Sequence, residues 1–527
     1  MNILKSLPTN IVKDYIRRSF LEPKDKVRNF NNIRALFDLS YKSKYTIDDL
    51  TWDDLMMDDI FSKIDRTYSS AGEASLYSVL RNPLMDEAKL NERSKIISLF
   101  KKNTSLSGDL RIILFNMGFD SKNRLIEMIE GLLSVSKVKC YLYTLLGQVL
   151  PPLMIFLAII FKEPYFMFPF TGLVYINIVI NQKEITTVKA TGLIYLRNLL
   201  TASKKISKIE NENLQSYKSR IDLLLRELKL IDKSTRLIKV LNGLGGFLQF
   251  FSVPFLIEET IYYKISGQLI EKEAQILELY YLVGEIDAFI SIASYKTSFT
   301  KWCTPKFTQV TSLNMVEGIH PLLDIPVANS IEISTKGIVL TGTNMSGKST
   351  FIRMISLNIL LAQCFDFVFA DEYEACFFNI VSSISPKDDI KSGKSYYMAE
   401  AESILRILNS LEDDIPVFCP IDEIFRGTNP LERIASSAEI LNYINKRDAI
   451  CIVATHDREL CDMLKDSYKF YYFSEDVNND SGLSFDYKLK NGVSKTRNAI
   501  KLLEFVGYPK EITEAAFKRS DLMESNI

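Results

Sequence analysis

Histidine is nearly missing from this chain: His320 and His456 are the two in 527 residues, which excludes a multi-histidine metal centre. Seven cysteines, at 140, 303, 364, 376, 419, 451 and 461, include no CxxC and no paired spacing. An odd, dispersed set fits reduced thiols in a cytosolic compartment better than a disulfide framework. Net charge is also lacking, with 64 Lys+Arg against 65 Asp+Glu. That balance argues against a whole-surface electrostatic grip on nucleic acid. The start, MNILKSLPTNIVKDYIRRSF, holds no continuous apolar run, so no secretory signal peptide is expected. Internal repeats and low-complexity tracts do not occur. A 47% hydrophobic and 24% charged composition excludes a disordered, collagen-like or mostly membrane-embedded chain, and the length suggests about three or four units.

The average hides one concentrated apolar region. From Cys140 to Phe161 there are 22 residues without a charge, and from Pro164 to Gln182 another 19, separated by Lys162-Glu163. As helices these runs would be about 28–33 Å long, matching a bilayer core of roughly 30 Å. The pair reads as a transmembrane hairpin through residues 140–182. Lys137 and Lys139 precede it and Lys183 and Lys189 follow, so both long flanks are expected in the cytosol, with the Lys-Glu turn outside. Gln148, Asn177 and four prolines keep a buried soluble hairpin open as the alternative.

A third uncharged run, Val240 to Ile257, is followed at once by Glu258-Glu259. A third span would put the two flanks on opposite sides, so this run reads as buried helical core. Earlier in the chain, WDDLMMDDIFSKID (52–65) suits a short helix, and RTYSSAGEASLYSVLRNPLMD (66–86) a longer one stopped near Asn82-Pro83. Residues 184–239 read as long helix. Within them, 203–239 carry ten Lys/Arg against five Asp/Glu, which suits a solvated face, anionic lipid headgroups or nucleic-acid phosphates. From about 331 the pattern becomes strand–loop–helix, as in an α/β domain.

The most informative stretch is GIVLTGTNMSGKSTFIRMISLNILLA (337–362). The strand Ile338-Val339-Leu340 enters a GxxxxGK[ST] loop, and a helix is expected from Thr350. The loop residues Gly342, Thr343, Asn344, Met345, Ser346, Gly347, Lys348, Ser349 and Thr350 are candidate ATP-phosphate ligands. The glycines let backbone amides curl around phosphate oxygens, Lys348 neutralises the β/γ-phosphates, and Ser349 offers a hydroxyl to Mg²⁺. In VFCPIDEIFRGTN (417–429), Asp422 ends a strand and can hold Mg²⁺, while Glu423 can polarise the attacking water. AICIVATHDREL (449–460) ends a third strand at His456, which can sense the γ-phosphate. All three elements fall at carboxyl ends of strands, where open α/β sheets bind ligands.

These residues resemble the ATPase domain of the MutS mismatch-repair family. The resemblance is carried by TGTNMSGKSTFIR, PIDEIFRGTNPLERIA, VATHDREL, SGKSYYMAEAESIL (392–405) and EGIHPLL (317–323). RTYSSAGEASLYSVLRNPL looks like the start of the family's helical core, and 487–516 like the segment closing its ATPase domain. The implied fold is a mainly α helical core and lever region plus a C-terminal α/β P-loop (ABC-type) ATPase domain. The expected divisions are an extension over 1–50, first core part 51–136, hairpin 137–184, returning lever 185–300, ATPase domain 301–516 and tail 517–527. The resemblance further implies a homodimer paired through its ATPase domains, with Asp422 and Glu423 as the Walker B pair and His456 as the switch histidine. Ser395 would reach the partner subunit's ATP, and Asn344 and Met345 would complete the phosphate loop. Ser346 stands where the family usually has glycine or alanine.

Mismatch-recognising members also carry an N-terminal reader with a Phe-x-Glu wedge, for which 50–65 residues leave no room. The expectation is a membrane-anchored relative with its ATPase domain in the cytoplasm, acting on DNA. The alternative is a mechanical ATPase switch for a protein partner, without direct mismatch recognition. An ABC transporter half fits poorly, because two spans are few and SGKS lies 27 residues before Asp422.

Overall fold

The computed structural model describes the chain except for residues 1–7, 41, 121, 133–134, 189–191, 244–251, 335–336, 344–345, 386–395, 426–428, 479–481, 495–498 and 525–527. Two compact units emerge. One comprises 1–41, 64–78 and 95–298, and the other 42–63, 79–94 and 299–527.

The first unit is helical. Its central helix, Glu273–Thr297, is buried continuously from Val283 to Lys296, with Glu285, Asp287 and Lys296 taken in among apolar neighbours. The carboxylate of Asp287 on this helix accepts the Tyr68 N–H at 3.0 Å and the Ser69 hydroxyl at 2.6 Å, which fixes the entry to the helix Ser70–Arg81. The expected long helix over 184–239 is three: Leu193–Ile206, Gln215–Glu227 and Lys229–Gly243. The first break falls where the Asn211 side chain accepts the Asn213 N–H and a 3₁₀ turn, Glu212–Leu214, follows. The basic excess is partly absorbed there: buried Asp232 pairs with Arg197 at 2.6 Å, Lys204 at 2.5 Å and Arg236 at 3.2 Å.

The same unit carries the apolar hairpin, Lys137–Phe161 and Pro164–Glu184, two helices long and apolar enough to cross a membrane. Only 11% of each apolar window is buried, which separates these helices from the core helix of a soluble protein. Phe156, Ile159 and Phe168 are more than half exposed. Lys162 turns the chain at φ 54°.

The second unit is built on sheets. Strands β1 (Lys306–Phe307), β2 (Leu313–Gly318), β3 (Asn329–Ile333) and β5 (Glu372–Ala375) form a four-stranded sheet in the order β1-β5-β2-β3. A six-stranded sheet runs β10-β9-β4-β8-β7-β6, from β4 (Ile338–Thr341), β6 (Asn379–Ile380), β7 (Val417–Asp422), β8 (Ala449–Ala454), β9 (Lys469–Asn478) and β10 (Gly482–Asn491). Strands β9, β4, β8, β7 and β6 pair in parallel, and β10 runs antiparallel at the edge. The central strands read as unbroken apolar runs because both faces are covered, with Val339, Cys419, Ile421 and Val453 packing against Leu441, Ile444 and Leu464. All seven cysteines are free thiols, and burial pushes the Cys364 thiol up to about 12, so it is chemically quiet. The 52–65 segment is two helices, Asp49–Asp54 and Met57–Ile64, broken at Met56 with φ 53°.

Candidate nucleotide site

Strand β4 delivers the chain into the glycine loop, and the helix Lys348–Phe365 begins two residues earlier than the sequence suggested. Gly342 sits at φ 140° and Gly347 at φ 104°. A Cβ on Gly342 would lie 2.8 Å from the Phe473 carbonyl oxygen, so glycine is required there on two counts. Lys348 is buried, and its Nζ donates to the Gly342 and Thr343 carbonyls at 2.8 Å each. The Ser346 hydroxyl is buried and makes no hydrogen bond. Asn344 and Met345 lie outside the described residues, as does Ser395 of the SGKS segment.

Asp422 closes β7, one strand beyond β8, and its carboxylate accepts the Ser349 hydroxyl. Its backbone N–H donates to Ser383 O at 2.9 Å. Glu423 follows in the left-handed region at φ 61°, held by its N–H donating to Ala454 O at 2.9 Å. A non-glycine residue there costs on the order of 1–3 kcal/mol and persists only where its surroundings enforce it. The effect is to turn the Glu423 carboxylate toward the end of β8, where His456 Nε2 lies 3.3 Å from its Oε1. Next to it, Arg433 pairs with Asp457 at 2.7 Å, tying the helix Pro430–Asn445 to the β8 exit.

A cavity of about 710 Å³ joins these groups; Ser346 to Phe351, Asp422, Glu423 and His456 all line it. The structure thus brings together the described candidates from Ser346 to Thr350 with the two acidic residues and the histidine. The residues also fit a nucleotide with Mg²⁺. An orphaned buried hydroxyl, a lysine resting on its own loop and a Ser–Asp pair at a helix N-terminus are the donor set a metal-bound triphosphate uses.

Several lining residues escaped sequence reading. Phe473 and Tyr487 come from the β9–β10 edge, and Ile325 and Val327 from the turn before β3. Tyr487 opens a segment that the resemblance had flagged, but nothing local marked its ring as facing Gly347, where an added Cβ would lie 3.1 Å away. His320 also lines the cavity. Burial, with Arg353 and Lys63 nearby, lowers it to about 4, so it is neutral, and its Nδ1 accepts the Leu322 N–H at 3.2 Å.

Asp54 is the least legible contributor. Its buried carboxylate accepts the Ser382 hydroxyl at 2.6 Å and the N–H groups of Ile384 at 2.9 Å and Ser385 at 2.8 Å. It therefore fixes the segment whose Ser383 carbonyl holds Asp422. A residue 368 positions upstream has no sequence signal for that role.

Comparison with known proteins agrees with this geometry. The family model described as MutS domain V matches residues 338–524. A DNA mismatch repair protein MutS from Thermus thermophilus is 25% identical over 498 residues, covering 87% of this chain and 60% of the relative. The Prochlorococcus marinus protein of the same name is 27% identical, covering 88% of this chain and 57% of the relative. That of Pseudothermotoga lettingae is 31% identical over 280 residues, half of this chain and 34% of the relative. The chain spans about three fifths of the length of the curated relatives it matches over most of its own length. The chain thus matches the MutS domain V model over its C-terminal third and is similar to DNA mismatch repair MutS proteins over most of its length.

Proposed function

We propose that the chain is an ATP-binding and ATP-hydrolysing switch, an ABC-type ATPase that works as a homodimer and is tethered to a membrane with its ATPase domain in the cytoplasm. One observation carries the enzymatic part. Lys348, Ser349, Asp422, Glu423 and His456 arrive from three parallel strands and line a single cavity.

The chemistry follows from the residues. Lys348 now spends two donors on loop carbonyls, and triphosphate oxygens can replace them with little loss of hydrogen bonding. Ser346 and the loop amides add donors for the same phosphates. Ser349 and Asp422 would hold Mg²⁺, which supplies positive charge between the β- and γ-phosphates. Glu423 would orient the attacking water and accept its proton, and His456, in contact with Glu423, would sense the γ-phosphate. Tyr487, Phe473 and Ile325 offer an apolar wall for the purine. Ser395 acts in trans at the second copy's ATP, by family resemblance.

Membrane tethering rests on the exposed hairpin, whose apolar surface would otherwise face water. The relatives' name points to DNA as the substrate of the switch. The second reading, a switch acting on a protein partner without mismatch recognition, is favoured by that same hairpin. Duplex, branched and mismatched DNA titrated at low and high salt separates the two. Salt-dependent binding supports action on DNA, and no affinity at low salt removes it.

A further inference from the structure

Residues 22–29 form neither helix nor strand and run as an extended strap along the helical unit. Its side chains alternate as an extended backbone requires: Lys24, Lys26 and Arg28 are half-buried, while Asp25, Val27 and Asn29 are exposed. The inward cations are anchored. Lys24 Nζ donates to Thr67 O at 3.0 Å and rests on the Tyr68 ring. Lys26 pairs with Asp65 at 2.8 Å and with Glu73 at 2.9 Å, and Arg28 Nε donates to Asp65 at 2.9 Å.

The strap walls a cavity of about 800 Å³, together with the helix Thr9–Arg18, the first turn of Ser70–Arg81 and the segment that follows Thr104–Met117. The cavity lies wholly in the helical unit and shares no residue with the candidate nucleotide pocket. Its volume falls within the roughly 300–1,000 Å³ of small-molecule sites. Tyr280 and Asn123 line it and are only 1% and 7% exposed. Polar groups so deeply buried normally find partners. Among the described residues, neither the Tyr280 hydroxyl nor the Asn123 side-chain amide makes a hydrogen bond, and neither is sealed within the core, so both open on the cavity. Asn123 precedes the helix Arg124–Glu127 at φ 50°, where an asparagine side chain ordinarily caps the helix, yet it makes no cap bond.

The charges around the cavity fix the sign of what it can hold. Glu22, Asp25, Glu73 and Asp120 line it, against Lys24 and Lys26. Lys26 is spent on Asp65 and Glu73, and burial pushes the Lys24 ammonium well below its ordinary value, which weakens its repulsion of a second cation. Burial also raises Glu73 to about 7 although Lys26 is beside it, and raises Asp120 although its carboxylate accepts the Leu125 N–H at 3.0 Å. Both carboxyls are short of positive charge. The remaining wall is aromatic, with Tyr15, Phe115 and Phe119, and ring faces attract ammonium and guanidinium groups. Lys26 already uses one of them, 4.9 Å from the centre of the Phe119 ring. An anion would meet the same carboxyls with no free cation to offset them.

We propose that this cavity is a second ligand site that takes a small organic cation bearing ammonium or guanidinium groups, with Glu73 and Asp120 as counter-charges and Tyr280 and Asn123 orienting it. The site is independent of the nucleotide and membrane readings. The test titrates agmatine and spermidine into the full chain in detergent, without nucleotide, and follows binding by calorimetry, with inorganic phosphate as the anionic control. Saturable one-to-one binding of at least one amine, and none of phosphate, is expected. Glu73→Gln keeps the shape and removes the charge, and should weaken that binding on the order of 10–100-fold. Tyr280→Phe removes only a hydroxyl that bonds nothing in the protein, and should weaken it about 3–10-fold. Because Tyr280→Phe breaks no internal bond, it keeps the test decisive should Glu73→Gln not fold. If neither amine binds, or if Tyr280→Phe binds as tightly as the parent, the proposal is overturned. Phosphate binding that Tyr280→Phe weakens would overturn it too, by showing that the cavity selects anions.

Discussion

The candidate nucleotide pocket and the base of the hairpin both bury polar side chains, but they use them in different ways. In the pocket, Ser346 has a hydroxyl with no partner, and Lys348 rests on carbonyls it can give up, all facing a cavity of about 710 Å³. At the hairpin base, the amide donors of Asn177 and Asn181 and the carboxylate of Glu184 close on neighbouring helices and on a carbonyl left over by proline, and Asn177 Oδ1 alone of these groups stays buried without a bond. Spare hydrogen-bonding capacity aimed at a void marks a ligand site, whereas capacity consumed within the protein marks a seam. The exposed face above that seam is apolar, and a low-dielectric phase is the partner the membrane-tether proposal assigns to it.

Lys348→Ala removes the one cation in the phosphate loop, and ATP turnover should fall on the order of 10³-fold with loss of nucleotide binding. Unchanged affinity would mean that the cavity is not the nucleotide site. Phe156→Glu with Ile159→Glu changes exposed positions that pack little protein, so folding should be preserved. Fractionation should then move the chain from the membrane pellet to the supernatant, and equal partitioning of variant and parent would remove the tether. Asp54→Asn turns an amide toward backbone donors behind Asp422, and denaturant unfolding should register a loss of about 3 kcal/mol.

A smaller effect concerns the helical unit. Burial raises Asp287 to about 6 despite its bonds from Ser69 and Tyr68. A carboxyl whose folded pKa is raised favours the fold in its protonated form. That contribution is complete below about pH 4 and is lost as pH rises through 6. Asp287→Asn should flatten this slope, by about 2 kcal/mol between pH 4 and 7, in unfolding titrations.

The pocket was legible because its signals are local. Each motif is a strand end and its adjoining turn, so 337–362, 417–429 and 449–460 could be read without knowing how they meet. The hairpin's apolarity was legible for the same reason. What the sequence hid was set by distance and by turns. Asp54 supports Asp422 from 368 residues away, and Tyr487 reaches Gly347 through the pairing of β10 with β9. Within residues 184–239 the break between Leu193–Ile206 and Gln215–Glu227 falls where an Asn side chain outcompeted the backbone, an effect that periodicity alone does not register.

Glu423, turned toward His456 at the end of β7, is the group proposed to activate the water that cleaves ATP. The direct measurement is steady-state Mg-dependent ATP hydrolysis by the full chain and by Glu423→Ala, with ATP binding measured alongside. Retained binding with turnover reduced on the order of 10²–10⁴-fold is predicted. Turnover unchanged in the variant would contradict the account.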